Sequence, residues 1–147
     1  MKDNSVAVQR FMKTMEKIGA EGCWNERPNG SLSTEAYCGL TIGLLKVLVE
    51  FQDEKIKVTT TVGLGVKDEN RERIDTLLKS INEIIPCGKF FVNEEKLISY
   101  VIRCGFSQLE ELENPFDLIS YGGDMFDKYT EVILKTLLGA NMYYITL

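Results

Sequence analysis

The stretch from Leu44 to Val62 constrains this chain more than any other. Leu45, Val47, Val49 and Phe51 alternate with Leu44, Lys46, Leu48 and Glu50, and Ile56, Val58, Thr60 and Val62 resume the alternation. A period of two sends successive side chains to opposite faces of an extended strand, and β-branched and aromatic residues suit that pleated surface. Gln52-Asp53-Glu54 separates the runs with polar residues suited to a turn. The pattern predicts a β-hairpin, which needs further strands or helices to bury its apolar side.

Those further elements are legible on both sides of the hairpin. From Ser5 to Ile18, apolar Val8, Phe11, Met12, Met15 and Ile18 recur at helical spacing, and Gly19 and Gly22 stop the helix. Cys23-Trp24-Asn25 reads as a short strand closed by the turn Arg27-Pro28-Asn29-Gly30. A second helix begins at Asp68, with Ile74, Leu77, Leu78, Ile81, Ile84 and Ile85 on one face, and ends at Pro86 and Gly88. A second hairpin joins Phe90-Phe91-Val92 to Leu97–Cys104 through Asn93-Glu94-Glu95-Lys96.

Asn114-Pro115-Phe116-Asp117 opens the last helix: Asn suits the cap, Pro the first turn, and Asp the N-terminal partial charge. Leu118, Ile119, Met125, Phe126, Tyr129, Val132, Ile133 and Leu137 then fall in one apolar arc. Gly122 and Ala140 sit mid-arc, where small side chains let a helix approach a sheet closely. The order is α-β-β-β-α-β-β-α. It describes one α+β domain over residues 1–147, an antiparallel sheet with helices packed on it.

Composition excludes several functions. The chain carries a net charge of −5, with no basic residue between Arg103 and Lys128 while Glu110, Glu111, Glu113, Asp117, Asp124 and Asp127 fall in that window. Lys and Arg are scattered along the sequence, so no nucleic-acid partner is expected. The longest apolar stretch, Leu40 to Val49, is interrupted by Lys46 and too short to cross a bilayer, and the first residues lack a signal peptide's apolar region. A cytoplasmic protein with no membrane partner follows. Cys23, Cys38, Cys87 and Cys104 form no closely spaced pair and histidine is absent, so free thiols are expected and no metal or cofactor.

Three features resemble catalytic or binding sites. Asp117, Asp124, Asp127 and Glu131 gather on the last helix opposite its apolar arc, as a metal-dependent hydrolase could use them, but a solvated helix face gives the same row. Gly63-Leu64-Gly65-Val66-Lys67-Asp68 begins like a phosphate loop, yet lacks the third glycine of a dinucleotide fingerprint and the Gly-Lys-Ser/Thr of a P-loop; a turn or crossover explains its glycines. Without histidine, no nucleophile has a recognisable base beside it. Tyr143 and Tyr144 suit either a binding tail or a final strand.

The strands themselves are more informative, being apolar on both sides. Leu40, Ile42, Leu44 and Leu48 share one parity, Leu45, Val47, Val49 and Phe51 the other; in the second hairpin Ile98, Tyr100 and Ile102 oppose Leu97 and Val101. A sheet with one wet face should alternate cleanly, so either helices cover both faces or a second chain does; with only three helices, a subunit or partner contact is the expectation. Leu44, Leu48, Ile98, Tyr100 and Ile102 are the candidate contact residues.

The element order resembles the YbjN-type family of bacterial sensory-transduction regulators, whose fold is similar to the type III secretion chaperones. The stretches carrying it are Ile81-Asn82, Gly88-Lys89-Phe90-Phe91-Val92-Asn93 into Leu97-Ile98-Ser99-Tyr100, and Val47-Leu48-Val49-Glu50-Phe51 into Lys57-Val58-Thr59. It covers roughly residues 6 to 140 and brings no catalytic or ligand motif. It implies a dimeric interaction protein, chaperone-like or regulatory in bacterial signalling. The sequence thus reads as a non-enzymatic homodimer with a further protein partner, the alternative being a small metal-dependent hydrolase using the acidic row.

Overall fold

The computed structural model describes residues 9–13, 25–26, 32–40, 43–114 and 117–138; side chains are described for residues 9–13 and from Leu45 onward, Gln52 and Glu110 excepted. Residues 9–13 are helical (α1). They are followed by β1 (Asn25–Glu26), β2 (Leu32–Leu40), β3 (Gly43–Gln52), β4 (Lys55–Gly65), α2 (Asp68–Ile84), β5 (Lys89–Val92), β6 (Leu97–Gly105), α3 (Phe106–Glu111) and α4 (Asp117–Leu138). The strands form one antiparallel sheet in the order β1-β2-β3-β4-β6-β5. The expected order holds and gains two elements, β2 and α3. In β2 the sequence Leu-Ser-Thr-Glu-Ala-Tyr-Cys-Gly-Leu lacks large apolar residues at period two, so its pairing with β3, not its own pattern, reveals it.

The central hairpin turns where the sequence placed it. Gln52 pairs with Lys55, and Asp53 (φ 53°) and Glu54 (φ 58°) both lie in the left-handed region. Two consecutive left-handed residues make the turn whose twist matches that of the flanking strands. Its tip is tied down by α3, whose Phe106 N–H donates to the Glu54 carbonyl at 2.9 Å.

All described helices pack on one sheet face. At one end, Ile74, Leu78 and Ile81 of α2 and Met125, Phe126 and Ile133 of α4 close over Leu45, Val62, Phe90, Ile98 and Tyr100. At the other, Phe11 of α1, Leu109 of α3, and Leu118 and Ile119 of α4 cover Val47, Val49, Phe51, Ile56 and Val58. Edge-to-face ring contacts lock both ends: Phe11 on Phe51 at 5.4 Å, and Phe90 against Tyr100 at 5.0 Å and Phe126 at 5.1 Å. The Arg10 guanidinium donates to the carbonyls of Leu112 and Glu113, fastening α1 to the α3–α4 link.

The last helix runs unbroken through Gly122 and Gly123, both buried, and neither has positive φ. A Cβ built on Gly122 would lie 2.2 Å from Thr60 Oγ1 and 2.8 Å from Thr60 Cβ. The helix backbone therefore rests on β4 at Thr60. Glycine inside a helix costs about 1 kcal/mol relative to alanine, and this close approach offsets it.

Two local expectations are corrected. Ile84, assigned to the apolar face of α2, is 71% exposed, because it is the helix's last residue and lies beyond the covering layer. Gly63 and Gly65 lie within β4, without positive φ, where pairing with β6 shifts between Thr61 and Gly65. They mark a strand irregularity rather than a turn.

Candidate interaction surface

Register defines the second sheet face. Across β3, β4, β6 and β5 run three rows: Lys46, Thr61, Ser99 and Phe91; Leu48, Thr59, Val101 and Lys89; then Glu50, Lys57 and Arg103. None of these residues belongs to either core cluster. The middle row is apolar at Leu48 and Val101, and Val101 is only 5% exposed. Ser99 is fully buried, with Thr61 Oγ1 2.8 Å from its hydroxyl and the Asn93 side chain donating to it at 3.4 Å.

The candidate contact residues divide between the faces. Leu48 lies half-buried on the second face, and pairing with Gly39 gives Leu44 the same parity. Ile98, Tyr100 and Ile102 lie on the helix-covered face, the first two with no exposure, and are interior rather than contact residues. Parity says which residues share a face, not which face the helices take. Leu40 also departs from the expected set, because pairing with Gly43 puts its register position with Leu45, not Leu44. Parity does not carry across the link between strands; Ile42, in that link, lies outside the described residues.

The stretch carrying the family resemblance is a set of turn and edge devices. Asn82 on α2 accepts from the Phe90 N–H at 2.7 Å and donates to its carbonyl at 2.9 Å, capping the outer edge of β5 as a neighbouring strand would. Gly88 has φ 75°, and a Cβ there would strike the Tyr100 hydroxyl, which donates to the Cys87 carbonyl at 2.7 Å. The Asn93 side chain accepts from the N–H groups of Glu95 and Leu97, closing the second hairpin. Beside the capped edge, Arg71, Asp75, Lys79, Asn82 and Phe91 line an open groove of about 460 Å³.

Two tyrosines next to this edge titrate abnormally. Burial raises the Tyr100 phenol well above its ordinary value, with smaller contributions from Cys87 and Tyr121. Tyr121 is pushed up to about 12, first by its hydrogen bond with the Cys87 side chain and then by burial. Both phenols therefore keep their protons far into the alkaline range.

The catalytic-looking features do not converge. Asp117, Asp124, Asp127 and Glu131 are all exposed along α4, and Glu131 pairs with Lys135 at 2.9 Å, which lowers its pKa. Among the described residues no three His, Cys, Asp or Glu side chains are placed to share a metal ion, and no helix is long and apolar enough to cross a membrane. Cys87 and Cys104 are free, and burial raises the Cys104 thiol; Cys23 and the Cys38 side chain lie outside the description, as do Tyr143 and Tyr144. What the sequence reading missed are the cations. Lys46, Lys55, Lys57, Lys89 and Arg103 look scattered along the chain, yet strand parity gathers them on the second face.

No protein-family model matches the chain. No curated protein sequence matches it either. Among solved structures it is similar to one described as the crystal structure of the ExsC–ExsE complex, with a TM-score of 0.54 and 12% identity over 87% of this chain and 96% of that one. At that identity the likeness is one of fold. The chain has the α+β, type III secretion chaperone-like architecture.

Proposed function

We propose that this chain is a non-enzymatic protein-interaction module, chaperone-like or regulatory in the manner of the YbjN-type regulators, acting as a cytoplasmic homodimer of one domain. The observation that carries the reading is the one-sided packing. Every described helix lies on one face of a six-stranded sheet, leaving on the other half-buried Leu48 and buried Val101, which belong to neither core among the described residues. A half-buried apolar side chain on a sheet face that no described helix covers is what a partner-binding face requires. The similar solved structure is itself described as a complex, which supports the same reading.

The test uses the intact chain. Light scattering at micromolar concentration should give about twice the 16.7 kDa chain mass. Affinity capture from the source cell, followed by titration with the purified candidate, should give a saturable one-to-one or two-to-one complex. A monomer would overturn the dimer, and capture without any saturable partner would overturn the module.

A further inference from the structure

The second sheet face has a charge opposite to that of the whole chain. Its strand positions hold Lys46, Lys55, Lys57, Lys89 and Arg103 against Glu50 and, by register, Glu35, in a chain of net charge −5. Asp53 and Glu54 stand at the hairpin tip beyond Lys55. The helical layer carries the acids, Asp117, Asp124, Asp127 and Glu131 among them, all exposed.

The arrangement opposes cross-strand preference. Lys57 and Arg103 are directly opposed on β4 and β6, and Lys55 follows two positions from Lys57 on the same face. Like charges directly opposite each other destabilise a sheet, and opposite charges stabilise it. The one compensating acid in that row, Glu50, reaches Lys57 only at 3.9 Å, while Lys55, Lys89 and Arg103 have no ion-pair partner among the described residues. The cations flank an apolar row, Leu48 and Val101. With strands about 4.8 Å apart and alternate residues about 6.8 Å apart along them, the three rows cover roughly 14 Å by 14 Å.

Deepening the interaction-module reading, on which it rests, we propose that this face binds an acidic, amphipathic polypeptide segment: an apolar side chain on half-buried Leu48, carboxylates to Lys57, Arg103 and Lys89. Charge complementarity selects that occupant. A second copy packed face to face would set the same cations against themselves, since an isologous contact repeats one patch on both sides. The homodimer therefore uses another surface. A phosphate backbone would meet the charges but leave the apolar middle row without a partner.

The experiment measures fluorescence anisotropy with two labelled probes, a short peptide of alternating glutamate and leucine and an oligothymidylate, across a range of salt concentrations. Wild type should bind the peptide in preference, with affinity falling as salt rises. Lys57→Glu with Arg103→Glu should weaken peptide binding about tenfold or more, and Lys13→Glu with Lys128→Glu, equal in charge but exposed on the helical layer, should change it less than about twofold. Arg103→Glu alone places an acid opposite Lys57 and leaves the Glu50–Lys57 pair in place, so it should weaken binding while leaving the melting temperature unchanged or raised. That pairing separates lost recognition from lost folding. Absence of peptide binding at low salt, preference for the oligonucleotide, or equal loss from both double variants each overturns the proposal. If a protein partner captured by the intact chain is bound equally well by the Lys57→Glu/Arg103→Glu variant, the acidic-segment proposal falls and the interaction-module reading stands.

Discussion

The two faces of the sheet are built from the same strands and differ in nearly every physical respect. On one, Phe51, Ile56, Ile98 and Tyr100 have no exposure and pack against four helical elements. On the other, a thin apolar row is held between threonines, a buried serine and lysine or arginine side chains. Stability resides on the first face, because burial of large apolar side chains dominates folding. The second adds little to stability and tolerates charge pairs that a sheet optimised for stability would avoid. Among the described residues, strands apolar on both sides build their core on one side only.

The largest expected effect that tests this division lies at Phe126. It is fully buried and contacts Phe90 edge-on, so Phe126→Ala should lower unfolding free energy by about 3–5 kcal/mol in denaturant titration. A loss comparable to that of a surface change would remove the covered face as the seat of stability. Next comes Gly122→Ala. The new Cβ would crowd Thr60, and a cost of about 1–3 kcal/mol is expected despite alanine's better helix propensity. Stabilisation instead would mean that the helix stands further from the strand.

Tyr100→Phe should cost about 1 kcal/mol, through the lost bond to the Cys87 carbonyl. The same region sets an alkaline limit. Because the folded pKa values of Tyr100 and Tyr121 lie above the unfolded value near 10, their contribution is complete below about pH 10 and is lost as pH rises, through about 12 for Tyr121. Ultraviolet titration should show these two among the last of the six tyrosines to ionise, and Tyr121→Phe should remove amplitude from the final phase. Full ionisation of every tyrosine near pH 10 in the folded protein would contradict the buried assignment.

Thr60→Val is expected to stabilise by up to about 1 kcal/mol, because the Thr60 hydroxyl is buried without a hydrogen-bond partner among the described residues and its replacement is nearly the same shape. A clear loss would mean that the hydroxyl is satisfied by something between strand and helix. The smallest change is at Leu48 on the second face, where Leu48→Thr should alter stability by no more than about 0.5 kcal/mol. A core-like loss there would show that this face is covered in the isolated chain.

The sequence by itself determined whatever local periodicity can encode. The turn at Asp53-Glu54, the strands on either side, the start of α2 at Asp68 and the close approach at Gly122 were all legible, since period two and helical spacing are properties of neighbouring residues. Strand β2 was not, because its pairing partner, rather than its own alternation, holds it in the sheet. For the candidate surface, the sequence supplied the parity sets and Leu48, while tertiary structure decided the rest. Helix packing chose the face of Ile98, Tyr100 and Ile102 for the interior, a choice between two apolar sides that depends on shapes distant in the chain. Sheet pairing brought Lys57 opposite Arg103, residues far apart in sequence that only the alignment of β4 with β6 makes neighbours.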